Sequence, residues 1–245
     1  MDYEKDFTDV FANTANGKVH YKHHKGSKYP IFFLHGLAGN IKTWTRLVGH
    51  LPDYLDVYLV DLIGHGLSDA PNIRYTLGVQ IDAVKEILKK EKIDSPYFFG
   101  HSYGGWISAT YALHNKTSGI VLEDSSGLRD FYNTVQGKEA RIQHKEDLLE
   151  KAMMLDAKKH VITSVLDDEF VEGQFTKEDL ERITVPSMVL WGENDRVIFT
   201  KYASIFAEGL KNSTLHIIKS AKHTPHYTHS ELVSKLLLDW LGAVA

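Results

Sequence analysis

Six short apolar runs constrain this chain more than any other feature: residues 30–34, 57–60, 97–99, 120–122, 187–191 and 214–218. They are apolar at successive positions rather than alternate ones, which suits strands buried on both faces. Such strands belong in a mostly parallel sheet, because helices must cover both of its faces. Those helices are legible between the runs. Over Leu77–Glu91 the residues Leu77, Ile81, Val84 and Leu88 recur at spacings of 4, 3 and 4 and so share one helical face. Residues 231–241 repeat the pattern with Leu232, Leu236, Leu237 and Trp240. At the other end, residues 7–12 and 19–23 flank Asn16-Gly17, a pair that favours a tight type I′ hairpin because both central residues need positive φ. The expected fold is therefore α/β, a mostly parallel central sheet begun by an antiparallel hairpin.

One segment breaks the alternation. Residues 125–185 hold no convincing strand, are rich in Lys and Glu, and read as several short helices that carry Phe131, Met153, Met154 and Phe170 in a polar setting. Structureless loops of that length are uncommon, so the segment is expected to be a helical cap on a core made of residues 1–124 and 186–245. A chain of 245 residues with 43% hydrophobic side chains is ample for one such core.

Composition excludes several classes of function. With 28 Lys and Arg against 32 Asp and Glu, the net charge is -4, and no positive field exists to attract nucleic acid or anionic lipid. No apolar run approaches the ~18 residues of a membrane span. The first residues, Met1-Asp2-Tyr3-Glu4-Lys5-Asp6, lack the basic and apolar regions of a secretory signal, so a soluble, cytoplasmic protein is expected. The absence of cysteine removes disulfides, thiolate metal sites and cysteine nucleophiles. Oligomeric state stays open between monomer and homodimer.

The chemistry is concentrated in a few loops. Gly100-His101-Ser102-Tyr103-Gly104 follows the run 97–99 and precedes a helix-like stretch with Trp106, Ile107, Ala109 and Ala112. That order presents a serine hydroxyl on a sharp strand-to-helix turn, with glycines where a Cβ would clash. A serine needs a histidine to take its proton and a carboxylate to orient that histidine. Asp195 follows the run 187–191, and His223 follows the run 214–218, so the order Ser102, Asp195, His223 puts all three beyond the carboxyl ends of strands. Asp124, after the run 120–122, is the rival acid, and His226 is the rival base. The oxyanion of an acyl transfer requires two backbone N–H donors. Tyr103, next to the nucleophile, and Leu37, in the turn His35-Gly36-Leu37-Ala38, are the candidates.

His35 and His65 read as hydrogen-bonding scaffold. The histidines at 223, 226 and 229 sit in a Pro-interrupted loop whose spacing does not fix a tetrahedron, so neither metal nor cofactor is expected. Trp44, Trp106, Phe131, Met153, Met154 and Phe199 are candidates for lining a substrate pocket, against the commoner fate of such residues as plain core.

These pieces, His35-Gly36, the run Asp61-Leu62-Ile63-Gly64-His65-Gly66-Leu67-Ser68-Asp69, the Ser102 turn and the Asp195 and His223 loops, resemble the α/β-hydrolases. The likeness is to the capped branch that includes small carboxylesterases, C–C bond hydrolases, epoxide hydrolases and haloalkane dehalogenases. It implies a helical cap inserted after the sixth strand, and a serine hydrolase that cleaves small carboxylic esters through an acyl-enzyme, with no cofactor. Epoxide hydrolases and dehalogenases carry an aspartate where Ser102 stands, so their chemistries fall away. The Gly-Gly-x-Trp-Gly elbow of the proline iminopeptidases and the lipase-type His-Gly-Gly-Gly loop are also absent. A C–C bond hydrolase, an acyl thioesterase and a slow-turnover binding protein on the same scaffold remain as alternatives.

Overall fold

The computed structural model describes residues 1–168 and 173–244. The strands β1 (Thr8–Thr14) and β2 (Gly17–His24) form the hairpin, with Gly17 at φ 111° in the turn. Then follow β3 (Lys28–Leu34), α1 (Thr45–Val48), β4 (Leu55–Asp61), α2 (Leu77–Glu91), β5 (Tyr97–His101), α3 (Tyr103–His114) and β6 (Gly119–Glu123). Between β6 and the next strand lie α4 (Arg129–Asn133), α5 (Val135–Lys151), α6 (Lys159–Asp168) and α7 (Lys177–Glu181). The chain returns to the sheet with β7 (Ser187–Gly192), α8 (Lys201–Gly209) and β8 (Ser213–Ile218), and ends in α9 (Pro225–Thr228) and α10 (Ser230–Val244).

The eight strands form one sheet in the order β1-β2-β4-β3-β5-β6-β7-β8. Its β1–β2 and β2–β4 pairs are antiparallel, and all others are parallel. Successive residues of a strand face opposite sides, and here both sides are covered. Phe32 and Leu34 join one core with Phe98, Leu122, Val189 and Trp191 beneath α2, α3 and α8. Ile31 and Phe33 join a second with Phe99, Val121, Leu190 and Trp240 of α10. This double burial is why the runs are apolar at every position. The face of α2 is also as read, with Ile81, Val84 and Leu88 buried and Thr76 Oγ1 capping the Val79 N–H.

One strand departs from expectation. β8 is the sheet's edge, so Leu215 and Ile217 stay 40% and 43% exposed rather than buried. Residues 125–185 contain α4 to α7 and, among the described residues, one isolated bridge between Leu128 and Phe175, while Phe170 lies outside the described residues. Among the described residues no helix is long and apolar enough to cross a membrane.

Candidate active site

Ser102 stands between β5 and α3 with φ 52° and ψ -112°, a left-handed conformation that an L-residue adopts only when its surroundings impose it. Those surroundings are the sheet itself. The Ser102 N–H donates to Glu123 O at 2.9 Å, and its carbonyl accepts from the N–H groups of Trp106 at 3.2 Å and Ser126 at 3.1 Å. The flanking glycines have no room for a side chain. A Cβ on Gly100 would lie 2.3 Å from Gly104 O, and one on Gly104 would lie 2.0 Å from Leu34 O. The sequence signal for a sharp turn is thus a packing requirement between β3, β5 and α3.

The candidate base and acid meet as the loop positions suggested. His223 donates Nδ1–H to Asp195 Oδ2 at 2.8 Å, which leaves Nε2 as its basic nitrogen. Asp195 is held by N–H donors from Val197 at 2.8 Å and Ile198 at 3.1 Å on its other oxygen. His101, which precedes Ser102, donates Nε2–H to the His223 carbonyl at 2.6 Å and so ties the histidine loop to the serine turn. Burial, with His226 and His223 nearby, holds His101 well below the usual imidazole range, so it remains neutral. No hydrogen bond joins Ser102 Oγ to His223 among the described residues.

The two rivals are occupied otherwise. His226 is fully buried, and both its ring nitrogens are engaged, Nδ1 with Glu123 and Nε2 with Thr43 Oγ1 at 2.7 Å. Asp124 accepts the Gly192 N–H at 2.8 Å. Its burial beside the negative charges of Asp195 and Glu123 pushes its carboxyl well above the usual range, which favours its neutral form. A buried pair that loses one member leaves the other desolvated and uncompensated. Glu123→Ala is therefore expected to destabilise the protein by about 3 kcal/mol or more through stranded His226, measured by urea unfolding.

The oxyanion candidates also converge. The Ala38 N–H donates to His65 Nε2 at 3.3 Å and the Gly39 N–H to Gly36 O at 3.0 Å, whereas no hydrogen bond takes the Leu37 N–H among the described residues. Leu37 and Tyr103 border the same small chamber as Ser102. His65 is pushed down to about 3 by burial, in keeping with a neutral ring that accepts from Ala38. His35 plays a similar part, donating Nδ1–H to Gly36 O at 2.8 Å and accepting the Leu62 N–H at 3.1 Å.

Residues 29–160, more than half of the chain, match the family described as the alpha/beta hydrolase fold. The chain belongs to the α/β hydrolase family. Its relatives include "Monoacylglycerol lipase abhd6-B" of Xenopus laevis, 22% identical over 274 residues, which span 96% of this chain and 80% of that protein. The human "Monoacylglycerol lipase ABHD6" is 21% identical over 288 residues, spanning 96% of this chain and 85% of that one. Among solved structures, a thermophilic esterase from Thermogutta terrifontis superposes with a TM-score of 0.83 at 18% identity, covering 97% of this chain and 99% of that one. A meta-cleavage product hydrolase from Pseudomonas fluorescens superposes with a TM-score of 0.78 at 17% identity, covering 96% and 98%. Likenesses this low in identity establish the shared fold.

In this α/β hydrolase the walls around Ser102 differ from those expected. Of the six pocket candidates only Phe131 lines the chamber at Ser102. Trp44 is fully buried on the far face of the sheet, packed on Phe33, Phe99 and His226 with ring centroids 5.2, 5.3 and 4.3 Å away. Met153 and Met154 lie in the turn after α5 and are 92% and 76% exposed, so they line nothing. Phe199 sits behind Phe131, at a centroid distance of 6.5 Å, on an outer groove with Ala140 and His144. Trp106 borders a different cavity.

Among the chamber residues that the sequence does not single out are Arg141 and His144 of α5. The Arg141 guanidinium lies 4.6 Å from the Tyr132 ring centroid and 5.8 Å from that of Phe131. His144 stands with its ring 6.3 Å from that of His223, and removal from water holds it down to about 4, hence neutral. The signal existed. Gly137, Arg141, His144 and Leu148 recur at 4, 3 and 4, a helical face hidden by its polar members.

Two clusters, His101 with Asp124 and His223, and His101 with Glu123 and His226, bring possible metal donors within 4.8 Å of one another. In both, the histidines already bond protein groups: His223 Nδ1 with Asp195, and both His226 nitrogens with Glu123 and Thr43. A metal in the second cluster would have to displace bonds of His226, and one in the first would take the nitrogen that His223 leaves as its base.

Proposed function

We propose that this α/β hydrolase is a serine esterase acting on small carboxylic esters through an acyl-enzyme. The observation that carries the reading is a serine on a strained elbow whose neighbour, His101, ties it to a histidine oriented by a buried carboxylate. In the mechanism, His223 Nε2 takes the Ser102 Oγ proton as that oxygen bonds to the ester carbonyl carbon. The carbonyl oxygen becomes an anion between the N–H groups of Leu37 and Tyr103. Collapse breaks the bond to the alcohol oxygen, which receives the proton from His223. Water, deprotonated by the same nitrogen, then releases the acid and restores Ser102. Asp195 holds the tautomer and stabilises the imidazolium in both halves. Relatives that bear the name monoacylglycerol lipase, and a structural neighbour that is an esterase, favour ester substrates over other acyl compounds.

In the same reading residues 125–185 act as the cap, since α4, α5 and α6 supply Phe131, Arg141, His144 and Leu166 to the chamber above Ser102. The experiment is a panel of p-nitrophenyl esters from acetate to decanoate beside a coloured dienoate diketone. Ester turnover with a burst of one nitrophenol per active site supports the proposal. Cleavage of the diketone with no ester turnover would instead assign the C–C chemistry. A burst with no steady state would assign a binding role.

A further inference from the structure

The chamber at Ser102 has a volume of about 20 Å3, and by that measure one water needs about 10–15 Å3. An acyl chain does not fit there. Tyr103 also lines a larger cavity of about 410 Å3, comparable to small-molecule sites. Tyr103 is the residue common to the walls of both, among the described residues. The larger cavity is bounded by Tyr75 and the first turns of α2 with Leu77 and Ile81, by Trp106 and Thr110 of α3, and by Val165 of α6.

Its chemistry is narrow. No charged side chain borders it among the described residues. Four polar groups of its wall are already engaged: Tyr75 Oη donates to Pro71 O at 2.6 Å, Trp106 Nε1–H to Gly173 O at 2.8 Å and Thr110 Oγ1 to Trp106 O at 2.8 Å, while Thr76 Oγ1 accepts the Val79 N–H at 3.3 Å. A ligand there meets hydrocarbon surface and gains from apolar burial rather than from new hydrogen bonds.

We propose that this cavity binds the acyl chain of the ester, and that the Tyr103 ring is the partition which turns aside to let the chain run from Ser102 into it. The proposal rests on the ester reading above for its carbonyl end. It makes Tyr103 serve twice, its backbone N–H facing the oxyanion and its ring setting the acyl length admitted.

Two experiments test it. Decanoic acid with a terminal diazirine is irradiated with the Ser102→Ala protein, and the labelled peptides are mapped. Label within residues 75–81, 103–110 or at Val165 is the expected result. Label confined to Phe131, His144 or Val197, or no label at all, overturns the proposal, whether or not the wild type turns over esters. Separately, Thr110→Phe fills the cavity from α3. In the folded variant the ratio of kcat/KM for p-nitrophenyl decanoate to that for acetate is expected to fall about tenfold or more, what two buried methylenes are worth. Gly78→Leu fills it from α2 should Thr110→Phe fail to fold. An unchanged ratio in the folded variant overturns the assignment. Absence of ester turnover in the wild type would defeat the ester reading alone, and the photolabel would still decide the cavity.

Discussion

Ser102→Ala is expected to lower ester turnover by about 10⁴- to 10⁶-fold while leaving the fold intact. The loss is large because the covalent route disappears, and only the Leu37 and Tyr103 N–H groups and substrate binding remain to favour the transition state. The fold survives because the strained turn is held by backbone bonds from Ser102 to Glu123, Trp106 and Ser126, and the Oγ atom takes no part in them. Alanine has the same Cβ and accepts the same φ of 52° at similar strain. A fluorophosphonate should label the wild type at Ser102 and the variant nowhere. An adduct on another residue of the wild type would move the nucleophile.

Asp195→Asn is expected to cost about 10⁴ in kcat, and Asp124→Asn no more than about tenfold. An amide at 195 presents a donor to His223 as readily as an acceptor, so the imidazole loses both its tautomer and the charge that stabilises its cation. An amide at 124 retains an acceptor for the Gly192 N–H and replaces a group whose neutral form the fold favours. Equal losses, or the reverse order, would transfer the role of acid to Asp124. Asp124 also leaves a thermodynamic signature with a definite sign. Its carboxyl is raised in the folded protein, so above its ordinary value of 3.8 the folded chain keeps a proton that the unfolded chain releases. Stability then falls as pH rises from that value to the folded pKa, by up to about 1.4 kcal/mol per pH unit. Asp124→Asn abolishes this fall, so its stability relative to wild type should climb with pH over that window. Urea unfolding of both proteins at several pH values measures it, and a flat difference would mean that Asp124 is ionised in the fold.

The parallel sheet and the elbow were legible because their causes are local. An unbroken apolar run such as residues 30–34 reports that both faces of β3 are covered, and Gly100 and Gly104 report that α3 crosses β3 and β5 without room for a Cβ. β8 was misread for the same reason in reverse. Its residues are as apolar as those of an inner strand, but only the assembled sheet decides which strand is last. Trp44 and Met153 show the limit for pockets. An aromatic beside a catalytic-looking loop and a methionine in a polar helical segment have the same composition whether they face substrate, core or water. Here Trp44 faces the core and Met153 faces solvent.

The amino-acid sequence by itself determined the α/β class, the hairpin at Asn16-Gly17, the serine turn and the order of Ser102, an acid and a base after successive strands. Strand period, turn chemistry and close glycine packing act among residues near one another in the chain. Only the tertiary structure decided which carboxylate meets His223 and what becomes of His226. Asp124 and Asp195 both follow strands of the same sheet, and His223 and His226 are three residues apart. What separates them is contact across long stretches of chain: Glu123 claims His226 over 103 residues, while Asp195 reaches His223 over 28, and burial with the Asp195 charge raises the Asp124 carboxyl. Desolvation and charge pairing depend on which groups the fold brings together, and no pattern of neighbouring residues encodes that.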